Sequence, residues 1–171
     1  MIVLMAGLPG TGKSTVAREL ATQTGGVVVG KDEIRATLFP PGDIEYSTEQ
    51  DDFCMEVMLE TASYLVRKNP ARFVFLDGRT FSRRYQIDRV LNRAAQLNQP
   101  WRILECVCSD ATARQRLEAQ QECAEHPASN RDYALYLQVK ERFEKIVRPK
   151  AVIDTDQPLQ VCVARALDAL R

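Results

Sequence analysis

Gly7, Leu8, Pro9, Gly10, Thr11, Gly12, Lys13 and Ser14, followed by Thr15, match G-x-x-x-x-G-K-[ST] at every fixed position, which is the spacing of a phosphate-binding loop. Backbone N–H groups can surround a polyanion only where no Cβ holds the chain away, so glycine recurs. A helix beginning near Lys13 would aim its unpaired N–H groups and the positive end of its dipole at the same anion. Lys13 is expected on the β- and γ-phosphates of a nucleoside triphosphate, and the Ser14 hydroxyl on Mg²⁺. A plain Gly/Pro turn between strand and helix is the alternative. The fixed positions in a strand–loop–helix context speak against it.

Two further stretches carry groups suited to phosphoryl transfer. "VVVGKDEIRATL" delivers Lys31, Asp32 and Arg35, and "FVFLDGRTFSRR" delivers Asp77, Arg79, Thr80, Arg83 and Arg84. Transfer to an alcohol calls for a carboxylate that orients the hydroxyl and accepts its proton, and Asp32 stands where one would be placed. Arg35, three residues on, shares its helix face and can hold an acceptor anion or the γ-phosphate. Asp32 could instead cap the helix that follows. Asp77 ends an apolar run, as a Walker B carboxylate does, and could orient Mg²⁺ or cap a turn. Arg79, Arg83 and Arg84 would lie near the rim, where phosphate or sulfate groups of an acceptor would bind. Arg89 and Arg93 read as a solvated helix face.

These groups need a scaffold that brings strand ends to one rim. Apolar runs at 2–6, 27–30, 73–77, 102–108 and 151–154 alternate with helix-period stretches, the pattern of a parallel sheet covered on both faces. Residues 54, 55, 58, 59, 62, 65 and 66 form one helical apolar face, and 87, 90, 91, 94 and 95 another. A helix is also expected over 131–147, and Gly25 or Gly26 is expected to end the first helix. In such a sheet ligands gather beyond the carboxyl ends of the strands, where all of these polar groups fall. The loop-rich stretches "PPGDIEYSTE" and "QQECAEHPASN" are lids or surface connections.

At 171 residues the chain is expected to be one domain, residues 1–171. Lys and Arg number 23 and Asp and Glu 23, so no global field favours nucleic acid or an anionic membrane. No apolar stretch is long enough to span a bilayer and no basic segment precedes a cleavable one, so no membrane role and a cytoplasmic location are expected. Five cysteines suit a reducing compartment. Cys106 and Cys108 would face one side of a strand, where packing is a better account than a metal pair. His126 is the only histidine, so a histidine-based triad or zinc site is nearly excluded.

"GLPGTGKST", "KDEIR" and "FLDGRT…RR" together resemble the small P-loop kinases related to the polynucleotide 5′-hydroxyl kinases and to the "predicted kinase" group. The likeness runs over essentially the whole chain. It implies an α/β P-loop NTPase fold with a five-stranded parallel sheet of order 2-3-1-4-5, flanked by helices on both faces. It also implies a helical, arginine-bearing lid after the fourth strand. By the same resemblance Asp32 is the general base and Arg35 a substrate contact. The lid falls on "RQRLEAQQECAEHPASNRDY", with Arg114 as a nucleotide contact and Arg116 and Arg131 as catalytic candidates. "DTDQPL" would contact adenine. The expectation is an ATP- and Mg²⁺-dependent kinase acting on a hydroxyl of a small molecule or of a nucleic-acid 5′ end. The alternative is a nucleotide-dependent switch or binding module that hydrolyses ATP slowly.

Overall fold

Every residue of the first strand, β1 (Ile2–Ala6), is buried, yet its side chains divide by the two-residue period of a strand. Ile2, Leu4 and Ala6 enter one apolar cluster, and Val3 and Met5 enter another. A central strand covered on both faces requires this division. The computed structural model describes residues 1–123 and 132–171. In it β1 is joined by β2 (Val27–Gly30), β3 (Val74–Asp77), β4 (Trp101–Val107) and β5 (Ala151–Asp154), all paired in parallel in the order 2-3-1-4-5. The expected architecture is the observed one.

The described helices are α1 (Lys13–Thr24), α2 (Lys31–Leu38), α3 (Thr48–Lys68), α4 (Arg84–Gln96), α5 (Asp110–Cys123), α6 (Tyr133–Glu141) and α7 (Leu159–Leu170). α3 and α4 cover one face of the sheet with Met55, Met58, Leu59, Ala62, Ile87, Val90 and Ala94. α1 and α7 cover the other with Val16, Ala17, Leu20, Cys162, Val163 and Ala166. Each fully buried Leu, Phe or Met contributes roughly 1.5–3 kcal/mol, so the two layers hold the strand ends in register. No described helix is long and apolar enough to cross a membrane.

Local signals set the helix ends. Gly25, left-handed at φ 65°, closes α1 and returns its N–H to the Ala21 carbonyl. Ser47 caps α3 by accepting the Gln50 N–H at 3.1 Å, which starts that helix before the apolar periodicity becomes visible. The stretch at 40–49 holds a single 3₁₀ turn (Pro41–Asp43) ahead of this cap. The helix expected over 131–147 stops at Glu141 instead. Beyond it Ile146 enters the core beside α4, and Glu144 bonds Ser82, Arg83 and Arg84, so the chain leaves the helical path to reach partners on another element.

Candidate active site

The phosphate loop joins β1 to α1 and is braced from three sides. Gly7 donates to the Thr80 carbonyl at 3.1 Å, and the Thr11 hydroxyl donates to Leu8 O at 2.8 Å. A Cβ on Gly7 would run into the Cys106 carbonyl oxygen, and Gly7 stands at φ 132°, so only glycine lets the loop pass this close to β4. Lys13 is buried at the start of α1, and its ammonium donates to the Leu8 carbonyl at 2.6 Å. Thr155, just beyond β5, places its hydroxyl 3.0 Å from Thr11 O.

Pairing of Gly30 with Asp77 sets the ends of β2 and β3 side by side, so the residues that follow each strand meet. Gly78, at φ 87°, allows the β3–α4 connection to lie against the start of α2, where a Cβ would come within 2.9 Å of the Lys31 nitrogen. Asp32 is the second residue of α2; the cap position belongs to Gly30, and no side chain caps this helix. The alternative in which Asp32 serves as a helix cap therefore does not describe the structure.

Asp32 is instead part of a buried ionic cluster. Its Oδ1 lies 3.3 Å from both Lys31 Nζ and Arg35 Nη1. Asp51, in the first turn of α3, accepts from the same Lys31 ammonium and from the other terminal nitrogen of Arg35. Lys31, Asp32 and Arg35 are all more than nine-tenths buried. The Tyr46 ring covers the Arg35 guanidinium at 5.1 Å. Tyr46 is held at φ 54° and Phe81, flanked by the cavity-lining Thr80 and Ser82, at φ 53°, a conformation that costs non-glycine residues energy and persists only where the surroundings enforce it.

Two cavities open on this arrangement and share Lys13 and Ser14. One, of about 370 Å³, lies on the α3 side and is lined by Asp32, Arg35, Asp77, Arg79 and Arg83 among others. The other, of about 400 Å³, lies on the α5 side and is lined by Gly12, Arg18, Arg116, Gln120, Thr155 and Gln157 among others. Asp77 lines the α3-side cavity and is buried, with one carboxylate oxygen, Oδ1, lacking any hydrogen-bond partner. An unpaired carboxylate oxygen and a serine hydroxyl, Ser14, lining one cavity are hard donors of the kind that fits Mg²⁺.

The expected site residues do not all converge. Arg116 lines the α5-side cavity rather than the one around Asp32, and bonds Thr155 O at 2.7 Å and Thr155 Oγ1 at 3.0 Å. Arg114 lines neither cavity; it pairs with Glu118 at 2.7 Å and lies over the Tyr133 ring. Arg84 lies outside both as well, with its backbone N–H on Glu144 at 2.8 Å. Arg131 and the stretch 124–131 of the expected lid lie outside the described residues.

Sequence reasoning missed Asp51, Asp52, Tyr46, Arg142 and the bracing role of Thr155. Asp51 falls in the first turn of α3, where an acidic residue complements the helix dipole and carries no sign of a site. Asp52 in fact meets the buried Arg79 at 2.7 Å. Cys106 is a core residue whose thiol burial pushes up to about 12, and Cys108 packs beside Ala113, Leu117 and Tyr136.

A family model described as "AAA domain" matches residues 2–146. No curated protein matches the chain. Among solved structures, a candidate kinase from Chloroflexus aurantiacus is 20% identical, covers 99% of this chain and 98% of its own, and superposes with a TM-score of 0.77. The APS kinase of Mycobacterium tuberculosis, solved with AMPPNP and APS, is 17% identical over 99% of this chain and 96% of its own, with a TM-score of 0.72. A gluconokinase from Sinorhizobium meliloti is 19% identical over 99% and 90%, with a TM-score of 0.70. By motif, sheet order and matched length, the chain belongs to the AAA domain family and has the kinase-like P-loop NTPase fold.

Proposed function

We propose that the protein is an ATP- and Mg²⁺-dependent kinase that transfers the γ-phosphoryl group to a hydroxyl. The observation that carries this reading is the pair of cavities meeting at Lys13 and Ser14, with a carboxylate, Asp32, in one of them. The α5-side cavity takes the nucleotide: the loop N–H groups and Lys13 hold the phosphates, and Arg116 and Thr155 border the remainder. Ser14 and Asp77 would hold Mg²⁺, which when bound neutralises charge on the β- and γ-phosphates. The α3-side cavity takes the acceptor. Asp32 Oδ1 is engaged by Lys31 and Arg35, which leaves Oδ2 to orient the hydroxyl and accept its proton as transfer proceeds. The M. tuberculosis and S. meliloti proteins of the same fold are named an APS kinase and a gluconokinase, which supports the assignment. A nucleotide switch has no use for a second cavity built around a buried carboxylate.

The test is ATP consumption by the purified protein with and without a panel of alcohols, with ³¹P NMR of the products. A gain in turnover matched by a new phosphomonoester is the expected result. ATP hydrolysis that no alcohol accelerates contradicts the proposal.

A further inference from the structure

Resting on the kinase reading above, we infer that the acceptor is a small hydroxylated molecule bearing an anionic group, a carboxylate or a phosphate, away from the reacting hydroxyl. The α3-side cavity divides by charge. Near Asp32 it is balanced, with Lys31 and Arg35 facing Asp32 and Asp51. Lys13, at the start of α1, and Asp77, at the end of β3, add one cation and one carboxylate. The remaining wall, from the β3–α4 connection and the end of α6, carries Arg79, Arg83 and Arg142 and no carboxylate.

Two of these arginines are paired with a carboxylate and the third is not. Arg79 is only 4% exposed; one terminal nitrogen meets Asp52 and Tyr85, and the other is buried without a hydrogen-bond partner. A buried donor left unpaired raises the free energy of the empty site, and an anion would return it. Arg83 pairs with Glu144 only at the exposed surface, where screening weakens the attraction. Arg142 has no ion pair with any described residue. Guanidinium groups grouped on one wall match the planar, multi-acceptor geometry of carboxylate and phosphate.

Size and surroundings favour a small molecule over a nucleic-acid end. The cavity, about 370 Å³, has the size of a metabolite pocket. A polynucleotide would need a run of uncompensated cations leading away from it. Outside the cavity Arg89, Arg93 and Arg148 each lie within ion-pair distance of a carboxylate, Glu56 at 2.6 Å, Glu60 at 2.7 Å and Asp88 at 2.7 Å, so no run of unpaired cations leads away from it along α4.

The test uses the intact protein, ATP and matched acceptors: neutral polyols, the corresponding sugar acids, the corresponding sugar monophosphates, and an oligonucleotide with a free 5′-hydroxyl. The expected result is a kcat/KM at least about tenfold higher for an anionic member than for its neutral counterpart. Arg142→Ala should raise KM for the anionic acceptor with little change in kcat, and Arg79→Lys, which keeps the charge but loses the fork, should do the same. Which anion leads identifies the group. Preference for neutral polyols, or a preference untouched by both substitutions, overturns the inference and leaves the kinase reading standing. Preference for the oligonucleotide overturns it in favour of a nucleic-acid end. Turnover that no member raises overturns the kinase reading and the inference with it.

Discussion

Asp51 shows how much of this site depends on a side chain that no motif contains. Its single oxygen Oδ1 gathers Lys31 and Arg35, and the same two cations flank Asp32. Asp51→Ala leaves two nearly buried cations with one carboxylate between them. Loss of about 3 kcal/mol is expected, the low end for a broken buried pair because Asp51 is itself part-exposed. A urea melt measures it, and activity should fall beyond what the folded fraction explains while ATP affinity holds. Lys13→Ala, by contrast, should abolish detectable transfer in a protein that still melts cooperatively, because the lysine serves charge stabilisation rather than core packing. Near-normal turnover in that variant would refute the phosphate-loop assignment. The contrast also marks what was legible. Lys13 and Asp32 stand at fixed distances from glycines or strand ends, so local spacing found them. Asp51, Tyr46 and Arg142 reach the site through tertiary packing, which leaves no local pattern.

At the scale of elements, strands and helix faces were readable because burial on both sides of the sheet leaves apolar runs and regular periods. The early end of α6 was not, because Ile146 and Glu144 answer to partners on other elements. The α5–α6 pair carries its own test. Asp110, at the start of α5, accepts from Tyr136 Oη and Lys140 Nζ at 2.6 Å each. The Lys140 and Tyr136 bonds hold its carboxyl below the ordinary range, while burial and the Asp110 bond push the Tyr136 phenol up. A carboxyl lowered by folding stabilises the native state above its unfolded pKa, and that contribution fades as the pH falls through the lowered value. Measured against the intrinsic rate at each pH, amide exchange in α6 should therefore accelerate in acid. Asp110→Asn should bring the faster exchange to neutral pH, and equal exchange in both proteins would show that apolar packing alone holds the pair. α5 also carries Arg116 against Gly10 of the phosphate loop, so if α5 begins the expected lid, added nucleotide and acceptor should slow exchange across α5 and α6, and equal exchange with and without them would show a fixed connection.

For the whole molecule, five parallel strands bring a phosphate loop, a buried carboxylate and an arginine wall to one rim, although the chain carries no net charge. In the proposed kinase these parts serve one reaction, with Asp32 acting on the acceptor and not on the nucleotide. The most direct measurement compares wild type with Asp32→Asn, using the best acceptor of the panel, for ATP affinity by calorimetry and for turnover under saturating substrates. ATP affinity is expected to stay unchanged while turnover falls by roughly 10² to 10⁴-fold, nearer the lower end because a loose transition state asks more of positioning than of a base. Full turnover in a folded Asp32→Asn protein would contradict the account and move the search for the catalytic carboxylate to Asp77.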